Sequence, residues 1–131
     1  MNNKEDNFKE KFKQALISTI KVISDDYKVE LNKNDKSSNI KNSNFFELTD
    51  LVKKEDFVKL RAETDSEALK RKFSSEFIYK KNLPNKSSYK NLYEISERIR
   101  YEVLGTKILK GISKNLSENY NKKIQQKYKE E

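Results

Sequence analysis

The chain has 131 residues, of which 34% are hydrophobic and 38% are charged, and its formal net charge is +8. This length accommodates one small domain with a modest core. The sequence has no cysteine or histidine and only two glycines. It therefore excludes zinc–thiolate sites, disulfides, Ser–His–Asp triads, Walker loops and dinucleotide-binding turns, and leaves only a carboxylate metal site open.

The basic charge invites a nucleic-acid interpretation, because a positive surface attracts phosphate. However, the chain has 25 lysines, only four arginines and 14 asparagines. Lysine and asparagine rise together when coding DNA is rich in A and T, and arginine is the better bidentate reader of phosphates and bases. A small basic helical nucleic-acid-binding protein is therefore kept as an alternative rather than as the main prediction.

No targeting or membrane-spanning segment is visible in the sequence. The longest nearly apolar stretch, residues 15–23, is interrupted by Lys21, whereas a bilayer span needs about 20 apolar residues. The amino terminus contains acidic residues and does not resemble a signal peptide. The expected location is the cytoplasm.

The first third of the chain predicts one helix followed by weaker signals. A helix over about residues 4–24 is indicated by apolar residues three or four apart. Residues 27–31 alternate in polarity and could pair with residues 45–48 in a short β-hairpin near residues 27–48. Residues 32–44 are expected to form a flexible polar loop, and Thr49 or Asp50 could cap the next helix. The apolar stripe of the first helix consists of Phe8, Phe12, Leu16, Ile20 and Ile23.

The remainder predicts a mainly α, small helical domain with a long C-terminal helix. A second helix is expected over about residues 54–73, then a turn and a short helix over 74–83 closed by Pro84. Ser87 or Ser88 can cap a third helix, which we expect to be bent near Gly105 and to end in a charged, frayed tail over 121–131. Its apolar positions are Leu92, Ile95, Ile99, Val103, Leu104, Ile108, Leu109, Ile112, Leu116, Tyr120 and Ile124.

Gly105 and Gly111 both fall inside this predicted helix. A helical glycine costs about 1 kcal/mol relative to alanine. Two of them within seven residues indicate a close contact with another backbone, a kink, or a helix–turn–helix break at Gly105.

Charged residues in the two later helices have helical spacing. Arg61 and Asp65 lie one turn apart and can pair, and so can Glu97 with Arg100, and Arg98 with Glu102. The ordinary interpretation is a solvated helix face or a core helix with a polar outer side. The functional one is a docking surface, on which arginines bind a partner's carboxylates and glycines admit a close backbone. No pair of carboxylates indicates a catalytic cleft, so no catalytic residue is predicted.

Residues 60–116 resemble the amino-terminal region of the CobT subunit of aerobic cobaltochelatase, and the first helix with residues 27–31 is similar to the start of that family. The two matching segments, residues 61–69 and 96–116, occur in the family's order and spacing. The matching residues are Arg61, Asp65, Ser66, Ala68, Leu69, Pro84, Glu97, Arg100, Glu102, Leu104, Gly105, Gly111, Asn115 and Leu116.

The resemblance implies a subunit, or a truncated subunit, of an ATP-dependent chelatase. Its partners would be an AAA+ ATPase subunit and a large corrin-binding subunit, which together insert cobalt into hydrogenobyrinic acid a,c-diamide during cobalamin biosynthesis. Cobalt and ATP would be used by that complex, and no cofactor or metal is expected on this chain. Its work would be that of a non-catalytic assembly module, with an inactive fragment as a further alternative.

The sequence departs from the family at three places. The family's long form continues into an acidic linker and a von Willebrand A-type domain with a metal-ion-dependent adhesion site, but no DxSxS motif occurs here. Residues 73–79 lack the histidines common in the family, and Ala62 stands where glycine is usual. One domain over residues 1–120 is therefore expected. Its structural or partner-contact candidates are Arg61, Asp65, Ser66, Glu97, Arg100, Glu102, Gly105 and Gly111.

Overall fold

The computed structural model describes residues 3–29, 51 and 53–130, and this part of the chain is built from helices. The mainly α prediction is confirmed. In chain order the helices are α1 (Asn3–Ser24), α2 (Lys54–Phe73), α3 (Glu76–Lys81), α4 (Ser87–Ile108) and α5 (Lys110–Glu130).

Helix α1 buries part of its predicted stripe. Leu16 and Ile20 are buried, whereas Phe8 is 60% exposed. The helix ends at Ser24. The next residue, Asp25, has a positive φ of 59°, a left-handed conformation that aspartate tolerates better than most residues. Val29 is buried against Ile20, but residues 27–29 are not a strand. The rest of the predicted hairpin, the polar loop over 32–44 and the candidate caps Thr49 and Asp50 lie outside the described residues.

Helix α2 is the centre of the fold, and its bounds are those predicted. It packs against α1, α4 and α5, so that side chains on nearly all of its sides are buried. Three neighbours can approach one helix because several of its buried residues are small. The buried residues are Leu60, Ala62, Thr64, Asp65, Ser66, Ala68 and Leu69.

The short helix α3 and the start of α4 follow the predicted turn. The Ser75 side chain caps α3 by accepting a hydrogen bond from the backbone N–H of Ile78. At α4 the N-cap position is Lys86, which makes no side-chain cap hydrogen bond. The prediction that Ser87 or Ser88 caps this helix is therefore wrong.

The sequence predicted one helix bent near Gly105. The structure has two helices instead, α4 and α5, which meet at Leu109. Leu109 has extended backbone angles, φ −122° and ψ 97°, and its N–H still bonds the Gly105 carbonyl. Helix α5 then runs to Glu130, through residues 121–130, for which we expected a frayed tail.

The apolar positions predicted for α4 do not form the buried face of that helix, which is a second difference from the prediction. Leu92, Ile95, Ile99 and Val103 are between 46% and 63% exposed, whereas the helix buries Tyr101, Glu102 and Gly105. On α5, Ile112 and Leu116 are buried as expected, while Tyr120 and Ile124 are 37% and 52% exposed. Helix α4 thus packs through a mixed polar face and leaves its most apolar face uncovered by the described part of the chain.

Candidate functional site: a polar junction of α2, α4 and α5

The junction is organised around Glu102, a carboxylate buried to 6% exposure. Its Oε1 accepts hydrogen bonds from Ser66 Oγ on α2 at 2.6 Å and from Arg98 Nε on α4 at 2.9 Å. Its Oε2 accepts a third from the hydroxyl of Tyr120 on α5 at 2.6 Å. One side chain therefore links three helices, and its charge is compensated by Arg98 and two hydroxyl donors.

The position of Tyr120 in the junction makes its phenol a weaker acid. Burial, followed by the hydrogen bond to Glu102, raises the pKa of the Tyr120 phenol to about 12. Both effects disfavour the phenolate, because it would lie in a less polar environment and face a negative charge. The hydroxyl therefore stays a donor to Glu102 throughout the physiological pH range.

A second buried carboxylate, Asp65, connects α2 to α5 at a position five residues before Tyr120. Its Oδ2 accepts a hydrogen bond from Asn115 Nδ2 at 2.7 Å. Burial raises the pKa of Asp65, while the Asn115 hydrogen bond and the charge of Arg61 oppose that rise. Arg61 therefore acts on Asp65 through its charge. The hydrogen bond of the Asp65 carboxylate is made with Asn115 on α5.

Gly105 lets α4 approach α2 closely. A Cβ atom at this position would lie 2.8 Å from Leu69 Cγ and closer still to both methyl groups of that side chain. Leu69 is itself fully buried and has no room to withdraw. Close contact, one of the three alternatives raised by the sequence, therefore accounts for Gly105, although the contact is with a side chain. Gly111 has no atom within 4 Å of such a Cβ.

Glu97 and Arg100 form an ion pair that closes the carboxyl end of α2. Arg100 Nη2 lies 2.6 Å from Glu97 Oε1 and donates to the Phe73 carbonyl at 2.7 Å. Ser74 Oγ donates to Glu97 at 2.7 Å. A guanidinium at the last carbonyls of a helix also complements the helix dipole. The predicted i,i+3 pair is present and acts on a neighbouring helix.

This closure makes part of the stability depend on pH. The Arg100 hydrogen bond lowers the pKa of Glu97 below its ordinary 4.5, against the opposing effect of burial. A folded-state pKa below the unfolded value contributes stability above the unfolded pKa, and that contribution is lost as the pH falls through the folded value. We therefore expect Glu97→Gln to lower the melting temperature at about pH 6, and we expect this deficit to shrink as the pH falls below the ordinary pKa of 4.5.

Circular-dichroism melting of both proteins across that range measures the difference. Glu94→Gln, on the same helix and exposed, is the matched control and should show no such pH trend. A Glu97→Gln deficit that persists unchanged at acidic pH would contradict the assignment.

Six of the eight candidate residues make contacts between α2, α4 and α5 or at the carboxyl end of α2, and two do not. Arg61 is exposed and lines a shallow cavity of about 190 Å³ between α1, α2 and α5, together with Phe12 and Phe57. Gly111 is exposed near the start of α5. The six that make these contacts are Asp65, Ser66, Glu97, Arg100, Glu102 and Gly105.

Four side chains that form hydrogen bonds in the junction were absent from the sequence-based candidates: Ser74, Arg98, Asn115 and Tyr120. Asn115 was among the matching positions, which was the available signal. Helical spacing assigns Tyr120 to the apolar stripe and gives no signal for the hydrogen bond that its hydroxyl makes to Glu102. Ser74 directly follows α2, and its hydroxyl donates a hydrogen bond to Glu97.

The arginines also bear on the nucleic-acid alternative. Arg71 bonds Glu67 and approaches Asp26, and Arg98 and Arg100 bond Glu102 and Glu97. Three of the four arginines are therefore engaged with carboxylates of this chain. In the described residues no three His, Cys, Asp or Glu side chains cluster as a metal site, and none of the helices is long and apolar enough to span a bilayer.

A family model described as cobalamin biosynthesis protein CobT matches residues 6–131, nearly the whole chain. The chain belongs to the CobT family. This membership places it among proteins of cobalamin biosynthesis. Comparisons with curated proteins and with solved structures find no match. In this CobT chain, Asp65, Ser66 and Glu102 take part in the contacts between α2, α4 and α5.

Proposed function

We propose that the chain is a non-catalytic assembly module of the ATP-dependent aerobic cobaltochelatase. Its partners would be the AAA+ ATPase subunit and the large corrin-binding subunit, and cobalt and ATP would be handled by the complex rather than by this chain. Cobalt would be inserted there into hydrogenobyrinic acid a,c-diamide. The proposal rests on membership of the CobT family and on the use that this chain makes of the family's residues.

The convergence of the family residues at the helix junction supports a scaffold. Ser66 and Glu102 lie 36 positions apart, and Asp65 and Asn115 lie 50 apart, yet each pair is hydrogen-bonded. Buried, mutually satisfied polar groups of this kind hold helices in one arrangement. A fixed arrangement of helices is what a module needs in order to present a surface to two partners.

The surface candidate on this scaffold is Arg61. It is exposed and lies beside the apolar cavity that Phe12 and Phe57 help to line. An arginine next to apolar surface can bind a partner's carboxylate while neighbouring aliphatic or aromatic groups are buried, the combination found at interface hot spots.

A pull-down of the chain with each chelatase subunit tests the proposal. We expect retention by at least one subunit, and we expect Arg61→Ala to weaken it about tenfold, a change equivalent to about 1.4 kcal/mol. Lys59→Ala, an exposed cation on the same helix, is the matched control. Both variants should melt like the wild type.

The outcomes separate the surface from the scaffold. Failure of the wild type to be retained by either subunit would remove the assembly function. If the wild type is retained and Arg61→Ala binds no more weakly than Lys59→Ala, Arg61 is not the contact residue. The assembly function itself would still be supported.

A further inference from the structure

An exposed apolar stripe runs along α4. It consists of Leu92, Ile95, Ile99 and Val103, which are 63%, 56%, 56% and 46% exposed. Their spacing of three, four and four residues places them on one face of the helix. Monomers rarely expose contiguous apolar patches larger than a few hundred Å², and larger patches mark interaction sites.

The face that carries the stripe is uncharged along its centre. By helical periodicity its other members are Ser88, Ser96 and Thr106, which are small and polar. The acidic and basic side chains nearest this face on α4 are Glu102, which is engaged with other groups of the chain, and Lys107, which is exposed and lies one turn from Val103. Burying the stripe would therefore leave Glu102 paired, and the long Lys107 side chain can keep its ammonium group in water.

The pattern is also symmetric about Ile99. Ile95 and Val103 lie four residues on either side of it, and Leu92 and Thr106 lie seven on either side. An antiparallel pair of such helices, related by a twofold axis at Ile99, would place Ile95 against the partner's Val103 and Ile99 against its own copy. This is the self-complementarity that a closed twofold interface requires.

From this stripe and its symmetry, we infer that α4 pairs antiparallel with α4 of a second copy of the chain. The inference stands independently of the cobaltochelatase role. The exposed parts of four side chains make a small surface beside the roughly 800 Å² that each partner buries in a standard-size interface. The dimer is therefore weak, with a dissociation constant in the micromolar range.

Sedimentation equilibrium from about 1 μM to about 1 mM brackets such an affinity. The weight-average mass should rise from one copy to two across this range. Because each copy carries +8, added salt should strengthen the dimer by screening the repulsion. Ile99→Asp should weaken dimerisation by at least tenfold. Val22→Asp, at a position 68% exposed on α1, is the matched control and should dimerise like the wild type.

Cysteine cross-linking tests the orientation, and the chain has no cysteine to interfere. Oxidised Ile99→Cys should form a disulfide-linked dimer, because the two positions adjoin the axis. Leu92→Cys should not, since its two copies would lie about 21 Å apart along antiparallel helices, beyond disulfide reach.

Three results would overturn the inference. One is a single-copy mass for the wild type at every concentration and salt level. Another is equal weakening by Ile99→Asp and Val22→Asp. The third is cross-linking of both cysteine variants, which would indicate a parallel pair. Equal melting temperatures of Ile99→Asp and the wild type at low concentration would show that the variant folds.

Discussion

Replacement of Glu102 by alanine is expected to lower the free energy of unfolding by about 3 kcal/mol. The carboxylate receives hydrogen bonds from Ser66, Arg98 and Tyr120, and its removal leaves all three donors without that acceptor. Arg98 is 39% exposed as a side chain and can regain water, which keeps the loss below that of a fully buried pair. Urea denaturation followed by circular dichroism measures the change.

Two further variants sharpen this expectation. Glu102→Gln keeps the shape but offers one acceptor oxygen, so its loss should be smaller than that of alanine. Glu94→Ala removes an exposed carboxylate from the same helix and should change stability by less than about 0.5 kcal/mol. If Glu102→Ala and Glu94→Ala were equally stable, Glu102 would not be the link between the three helices.

Gly105→Ala is expected to destabilise the fold by about 2 kcal/mol, the cost of forcing extra volume into a packed interior. The new methyl group would overlap the side chain of Leu69, and α4 would have to move away from α2. A loss of stability in this variant would be informative, because alanine in place of a helical glycine ordinarily stabilises a helix by up to about 1 kcal/mol.

Gly111 provides the control within the same chain. It has a negative φ and open space around it, so Gly111→Ala should leave stability unchanged or raise it by less than about 1 kcal/mol. The Gly105→Ala loss should also shrink in a Leu69→Ala background, where space has been created. Equal losses in both backgrounds would contradict the steric explanation.

Much of the helical framework could be predicted from the sequence. The bounds of α2 follow from its apolar spacing and from the polar residues at both ends, and the short helix after it follows from Pro84. Both ion pairs on α4 follow from their three- and four-residue spacing. These features depend on neighbours within one or two helical turns, and for that reason a sequence shows them.

The errors have a common physical origin. Periodicity identified the α4 stripe correctly as one face, but it does not reveal whether that face finds a partner within the same chain. Gly105 and Gly111 indicated a kink or a break in this region, but the residue that ends α4 is Leu109, and no glycine or proline marks that position. The bond between Asp65 and Asn115 joins residues 50 positions apart, and the packing that brings them together is set by the whole fold.

The position of α2 has a consequence for how the domain unfolds. Its buried face is completed by α1 on one side and by α4 and α5 on the other, so no two-helix fragment shelters it. Removing any one neighbour exposes buried residues of α2 to water and weakens its contacts with the others. We therefore expect α1, α2, α4 and α5 to unfold as one cooperative unit rather than as separable subdomains.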